Sequence, residues 1–400
     1  MTYKLPLLSA QLAFGLDAQR SGRRATVTLM FRTPPSRMSA DDVRRVLQSV
    51  VLRNPALSYR IRFSRGVAYQ EWHPTVECDF LEIRAASADA VPGRAMEVIE
   101  EFETSLDGAA MAARLIRSPE SDDLLLVFDH ALVDEQSLLI IKRQLDSPSP
   151  PDERQPALYQ ASVEDRKAFE AAVTNGAGIG FWADRLKSAV GDFPQAQEKP
   201  TRVILIDSLP AVAVPRSFRG SLFPYVLFSI HRALRDVGEP GPTVIGYPWG
   251  GRNAAYSDVV GCFMNTAISV DASTPHQAPQ AAGEFLNRWY EEIDHADVPF
   301  TAVSALRSGF SGSLTAQLSY THSAARPVKI AGIEAVEVVS TLGRAPQSSA
   351  FLAAATVREN DIQLRLLLDE QAVGYGAQEF GARWRHWLNI AILSSIEQKA

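Results

Sequence analysis

Residues 124–137 read Leu-Leu-Leu-Val-Phe-Asp-His-Ala-Leu-Val-Asp-Glu-Gln-Ser, and their types and spacing are suited to proton transfer. An unbroken apolar run delivers Asp129 and His130, and Asp134 follows four residues after the histidine. A short apolar run bounded by charge reads as a buried strand. The leucine and isoleucine stripe over residues 138–145 reads as a helix with Asp134 at its mouth. A histidine at such a junction can face a cleft while the strand holds it rigid. Its neutral imidazole, with an ordinary pKa of about 6.5, can then serve as a general base. The simpler readings are a hydrogen-bonded core histidine, a helix cap at Asp134, and an exposed first-turn Ser137.

The elements that must position this stretch alternate between helical and strand patterns. Ser39 with Asp42 starts a capped helix through Val43, Val46, Leu47, Val50 and Val51, ending at Asn54-Pro55. Strand patterns follow at 58–63 and 66–72, a helix at 93–106, and strands near 109–116 and 124–128. Residues 146–156, rich in proline and serine, form the clearest linker. Beyond it lie helical segments at 163–173 and 180–190, a strand at 202–206, a helix at 221–236 and a strand at 243–247. The last third adds strands at 316–320, 336–339, 350–357 and 361–368 and a terminal helix at 378–396. No period of 20–50 residues repeats, which excludes solenoids and propellers. The fold class is mixed α/β, in an N-terminal lobe over 1–158 and a C-terminal lobe over 159–400.

Composition bounds the function. Four hundred residues with 46% apolar and 22% charged side chains suit a soluble two-lobed protein with ample core. The net charge of −6, without a long basic run, gives nucleic-acid binding no support. No apolar stretch is long enough for a membrane span, and the N-terminus lacks a signal-peptide pattern. Cys78 and Cys262 are the only cysteines, so a reducing, cytoplasmic setting is expected and no metal cluster is.

Other chemistries fall away. The chain has no H-E-x-x-H, no C-x-x-C and no Walker loop. Gly176-Ala-Gly178-Ile-Gly180 lacks the last glycine of a dinucleotide fingerprint and follows a helix, so it reads as a loop. Gly309-Phe-Ser311-Gly-Ser313 misses the nucleophile-elbow spacing by one residue, leaving Ser311 as a turn serine. His73, His231, His276, His295, His322 and His386 have no motif around them. Trp182 reads as core packing.

The chain resembles the condensation domains of nonribosomal peptide synthetases, within the chloramphenicol-acetyltransferase-like acyltransferases. That family carries His-His-x-x-x-Asp-Gly where this chain has Asp129-His130-Ala-Leu-Val-Asp134-Glu135. Further segments match in order: Ser9-Ala10-Gln11 the opening Ala-Gln, and Arg53-Asn54-Pro55-Ala56-Leu57 the Arg-His-Pro-x-Leu helix end. Phe181-Trp182-Ala-Asp-Arg-Leu186 is similar to Tyr-Trp-x-x-x-Leu. Gly251-Arg252 and Val260-Gly261-Cys-Phe263-Met-Asn265-Thr266 are similar to the Gly-Arg and Val-Gly-x-Phe-x-Asn-Thr signatures.

The resemblance implies two chloramphenicol-acetyltransferase-like lobes in a V-shaped pseudo-dimer with a central tunnel. Carrier proteins would send phosphopantetheine arms in from opposite faces as substrates, with no tightly bound cofactor. His130 corresponds to the catalytic histidine and would deprotonate or orient an attacking amine or hydroxyl. The acyl group would then transfer without a covalent enzyme intermediate. Asp134 would be structural, paired with Arg252 in the C-terminal lobe, or failing that with Arg60 or Arg62. Asp129, Glu135, Ser137 and Asn265 are motif-associated positions, Asn265 read as fixing a loop.

Three positions depart from the family pattern. Asp129 replaces a supporting histidine and Asn54 replaces the histidine of the Arg-His-Pro segment. Glu135 replaces a glycine that keeps the tunnel open, so it either narrows the donor side or binds a cationic acceptor amine. The leading expectation is a free-standing, monomeric condensation enzyme forming an amide or ester from a carrier-bound acyl thioester. The acceptor is carrier-bound or a soluble amine or alcohol. The alternative is a catalytically silent module that docks carrier or partner proteins, since silent members also carry altered motifs. A further alternative is heterocyclization, because Asp129-x4-Asp134-x2-Ser137 fits the Asp-x4-Asp-x2-Ser pattern of those domains.

Overall fold

The apolar run of residues 124–128 becomes the core of the strand Asp122–Asp129, buried along its whole length. Side chains alternate across a strand, so a run apolar at every position must be covered on both faces. Leu124, Leu126 and Phe128 pack with Val43, Leu47 and Val50 of the helix Ala40–Arg53, and with Ile140 and Ile141 of the helix Glu135–Gln144. Leu125 and Val127 pack on the opposite side with Val91, Ala95, Ile99 and Phe102 of the helix Val91–Thr104. The strand's acidic foot is neutralised: Asp122 pairs with Arg117 at 2.6 Å and Asp123 with Arg32 at 2.7 Å.

The computed structural model of the protein describes residues 4–73, 77–187, 193, 203–206, 209–239, 241–271, 282–306, 309–322, 327–338 and 351–397. The chain divides into two units: Met1–Phe169 with Gly250–Met264 and Arg326–Gly343, and Glu170–Trp249 with Asn265–Ala325 and Arg344–Ala400. In the first, the sheet order is Val328–Ile330, Ile333–Glu337, Thr26–Thr33, Asp122–Asp129, Met111–Arg117, Asp79–Arg84, antiparallel except for the last pair. A smaller sheet joins Lys4–Pro6, Val67–Trp72 and Tyr59–Ser64.

In the second unit the sheet runs Asn265–Asp271, Thr243–Trp249, Ala316–His322, Phe351–Val357, Asp361–Asp369, Val203–Ile206, with Val212–Ala213 also on Asp361–Asp369. The helices Phe223–Asp236 and Ala377–Glu397 bury Phe228, Leu234, Phe380, Trp384 and Leu388 in one core. Trp182, Leu186, Val244, Ile268 and Leu314 form another.

The fold class is the mixed α/β expected, but the division is not a cut at 158/159. Gly251-Arg252 and Gly261, expected in the C-terminal lobe, group with the N-terminal unit. The reason is long-range contact: Val259, Val260 and Phe263 pack in the core of the first unit, and Arg252 and Gly261 bond to Asp134 and Ser137. The supposed linker is also shorter, because the helix Gln155–Thr174 starts with Pro156 in its first turn, where a missing N–H costs nothing. The strands Thr26–Thr33 and Asn265–Asp271 and the helix Ala282–Ile293 were not anticipated. The expectations for residues 188–190, 202, 339 and 350 and for His276 lie outside the described residues.

Candidate active site at the end of a buried strand

His130 sits on a turn that its own backbone tightens. Its N–H donates to Ala25 O at 2.9 Å, and Asp129 O accepts from Leu132 N at 2.9 Å and Val133 N at 3.0 Å. Asp129 braces the same turn, with Oδ1 accepting from Ala131 N at 3.0 Å and Oδ2 facing Arg24 Nη1 at 3.4 Å. The imidazole Nδ1 lies 3.0 Å from Val133 O. A carbonyl can only accept, so in the neutral ring Nδ1 carries the hydrogen and Nε2 keeps the lone pair. Burial pushes the imidazole below its ordinary pKa, against the upward pull of the Val133 carbonyl and the Asp134 carboxylate. The result is a half-buried, neutral imidazole in the tautomer a base requires.

Asp134 is held away from that role. Its carboxylate and the Arg252 guanidinium form two parallel bonds, Nη1 to Oδ2 and Nη2 to Oδ1, each 2.8 Å. The paired side chains are 4% and 6% exposed, so solvent hardly screens them. Asp134 also caps the helix Glu135–Gln144 through Ser137 N at 2.9 Å, and Oδ2 accepts from Phe263 N at 3.0 Å. Ser137 Oγ accepts from Gly261 N at 2.9 Å and Arg252 Nη2 at 2.6 Å, its own hydrogen directed at Asp134 Oδ1 or Gly261 O. Ser137 is therefore buried and bonded, not an exposed first-turn residue. Arg60 bonds to Tyr59 O and Arg62 pairs with Glu71 and Asp107.

Gly251 makes the approach of Arg252 possible. A Cβ there would stand 2.1 Å from Phe263 O and 2.7 Å from Arg166 Cζ. The neighbouring Phe263 N–H is committed to Asp134, so the backbone cannot retreat without breaking the pair. Gly251→Ala is expected to destabilise the protein by about 1–3 kcal/mol, the usual cost of overpacking, read as a lowered denaturation midpoint. An unchanged midpoint would mean the loop is freer than the contact implies.

Glu135 opens the helix with its side chain exposed. Its carboxyl still stands above the ordinary range, first through the surrounding protein and then through the Asp134 carboxylate. Asn265 belongs to the second unit. Its Nδ2 donates to Ala296 O and Val298 O, each at 2.8 Å, and its Oδ1 accepts from Phe300 N at 3.1 Å. These bonds tie the 296–300 segment to the start of the strand Asn265–Asp271. Asn54 ends its helix, its Nδ2 donating to Val50 O and Gln144 Oε1, each at 2.6 Å. Trp182 is buried and donates to His295 O. His231 is buried between Thr243 and Ser269, and burial pushes it down to about 3. No group of three metal-ligating side chains occurs among the described residues, and no described helix is long and apolar enough to cross a membrane.

Two residues at His130 escaped the sequence reading. Phe14 stacks on the imidazole, and Arg24 faces Asp129. Neither lies at a spacing that points to the motif: Arg24 is 105 residues from Asp129. The only signal was the Ser9-Ala10-Gln11 segment, which places the start of the helix Ser9–Ser21 without naming Phe14.

The chain has the fold of nonribosomal peptide synthetase condensation domains and their relatives, which is a chloramphenicol-acetyltransferase-like fold. The X-domain from teicoplanin biosynthesis superposes with a TM-score of 0.75 at 15% identity, covering 99% of this chain and 96% of that one. The first condensation domain of the calcium-dependent antibiotic synthetase gives 0.75 at 14% identity, covering 98% and 97%. The epimerization domain of the third module of tyrocidine synthetase B gives 0.71 at 14%, covering 99% and 97%. No protein-family model and no curated protein sequence matches the chain.

Proposed function

We propose that the chain is a condensation-type acyltransferase that uses His130 as general base. One observation carries this reading. The Nδ1 contact with Val133 O leaves the basic lone pair on Nε2 of a ring that burial keeps neutral. In the reaction, the nitrogen or oxygen of an amine or alcohol attacks the carbonyl of a carrier-bound acyl thioester. Its proton passes to His130 Nε2, the new C–N or C–O bond forms and the C–S bond breaks. The imidazolium then returns the proton to the departing phosphopantetheine thiolate, so no acyl-enzyme is needed. Asp134 and Arg252 contribute by fixing the helix and loop around the histidine. General-base assistance of this kind contributes about 10²–10⁴-fold.

A second reading, a module that docks partner proteins, is favoured by the likeness to the teicoplanin X-domain, also seen in complex with OxyB. Incubation with a panel of acyl-loaded carrier proteins and amines or alcohols, read by intact mass, separates the two. Acyltransferase activity predicts loss of the acyl group from the carrier with formation of an amide or ester. Carrier binding with no transfer across the panel would favour docking.

A further inference from the structure

The ring of Phe14 lies on the His130 imidazole, centroids 4.5 Å apart and planes 25° from parallel. The helix that carries it, Ser9–Ser21, is independently seated. Gln11 is fully buried, its Oε1 accepting from Leu8 N at 3.0 Å and from Gln70 Nε2 at 3.1 Å. Gln70 in turn accepts from the Tyr159 hydroxyl. At Gly15 a Cβ would stand 2.9 Å from the Phe63 ring, so the helix rests close on the strand Tyr59–Ser64. Phe14 is thus presented by a fixed platform.

The charges acting on His130 are the carboxylates of Asp134 and Asp129, and both face guanidinium groups, Arg252 and Arg24. Each carboxylate is thus already committed to a guanidinium partner, and the ring of Phe14 adds an electron-rich surface directly on the imidazole. The face of an aromatic ring is electron-rich and attracts a cation lying over it, more strongly when water is kept away. Resting on the reading of His130 as the base, we propose that Phe14 is a positioning residue that sets the imidazole plane and stabilises the imidazolium formed when His130 accepts the substrate proton. Its ring acts on the charged state of His130 and touches no substrate atom in this scheme.

The test uses Phe14→Leu, which keeps an apolar side chain but removes the aromatic face, and Phe14→Trp, which strengthens that face. Histidine-edited NMR titration of wild type and both variants reads His130, and acyl-transfer kinetics are taken beside it. Phe14→Leu should lower the His130 pKa and reduce kcat about tenfold with KM little changed, the size expected of one such contact. Phe14→Trp should raise the pKa above the wild-type value and restore kcat. The same pKa in all three proteins would overturn the proposal, as would a kcat loss in Phe14→Leu without a pKa change. Should Phe14→Leu not fold, the tryptophan variant decides alone: an unmoved or lowered pKa overturns the proposal. If His130→Ala retains full transfer while the leucine variant still lowers the pKa, the stacking stands and the assignment of His130 as base fails.

Discussion

Arg252→Ala is expected to destabilise the protein by about 3–5 kcal/mol, because it leaves the Asp134 carboxylate charged and without its partner in a buried site. The side chains are almost wholly covered, and the guanidinium also bonds Ser137, Gly261 O, Gln136 and Val259 O. Removing it therefore unsettles the helix that follows the motif and the 250–264 loop together. Asp134→Ala should cost a similar amount, to which the lost helix cap adds about 1 kcal/mol. The double variant should cost clearly less than the sum of the two, since neither charge is then left alone. Chemical denaturation of the four proteins reads this directly. Single variants within about 1 kcal/mol of wild type would show that the pair is solvated in solution.

The second large effect is on turnover. His130→Ala should reduce acyl transfer by about 10²–10⁴-fold while leaving the denaturation midpoint near the wild-type value, since the ring is only half-buried. The pH dependence has a definite sign. The native imidazole is pushed below its ordinary value of about 6.5, so the neutral base predominates at pH 7. Activity is lost only as pH falls through that lowered native pKa. Stability declines in the same direction, from the unfolded value near 6.5 downward, because the unfolded chain binds the proton first. An activity profile whose acid limb lies above pH 6.5 would contradict this ordering.

How much of this was legible in the sequence differs from residue to residue. The strand Asp122–Asp129 was readable because a run of five apolar side chains needs cover on both faces, and two separate cores supply it. The Asp134 cap was readable from its place before a leucine stripe. Its pairing with Arg252, 118 residues away, came from family resemblance; no spacing argument reaches that far. The placement of Arg252 in the C-terminal lobe was wrong for the same reason. A loop's allegiance is decided by its contacts with distant segments, here Val259, Val260 and Phe263 in the first unit's core and Arg252 on Asp134, and local pattern says nothing about it. Ser137 looked exposed because a hydroxyl in a first helical turn usually is, yet here it bridges Asp134, Arg252 and Gly261. Phe14 was silent for a simpler cause: one aromatic on a helix reads as packing until the ring beneath it is known.

The central claim is that His130 is mounted as a neutral base with its proton on Nδ1. ¹⁵N-resolved NMR of the histidine side chains, with His130→Gln to assign the signal, tests it without any substrate. The account predicts that at pH 7 the His130 ring is neutral, protonated on Nδ1 and unprotonated on Nε2, and that it titrates below 6.5. An imidazolium at pH 7, or a neutral ring protonated on Nε2, would contradict it.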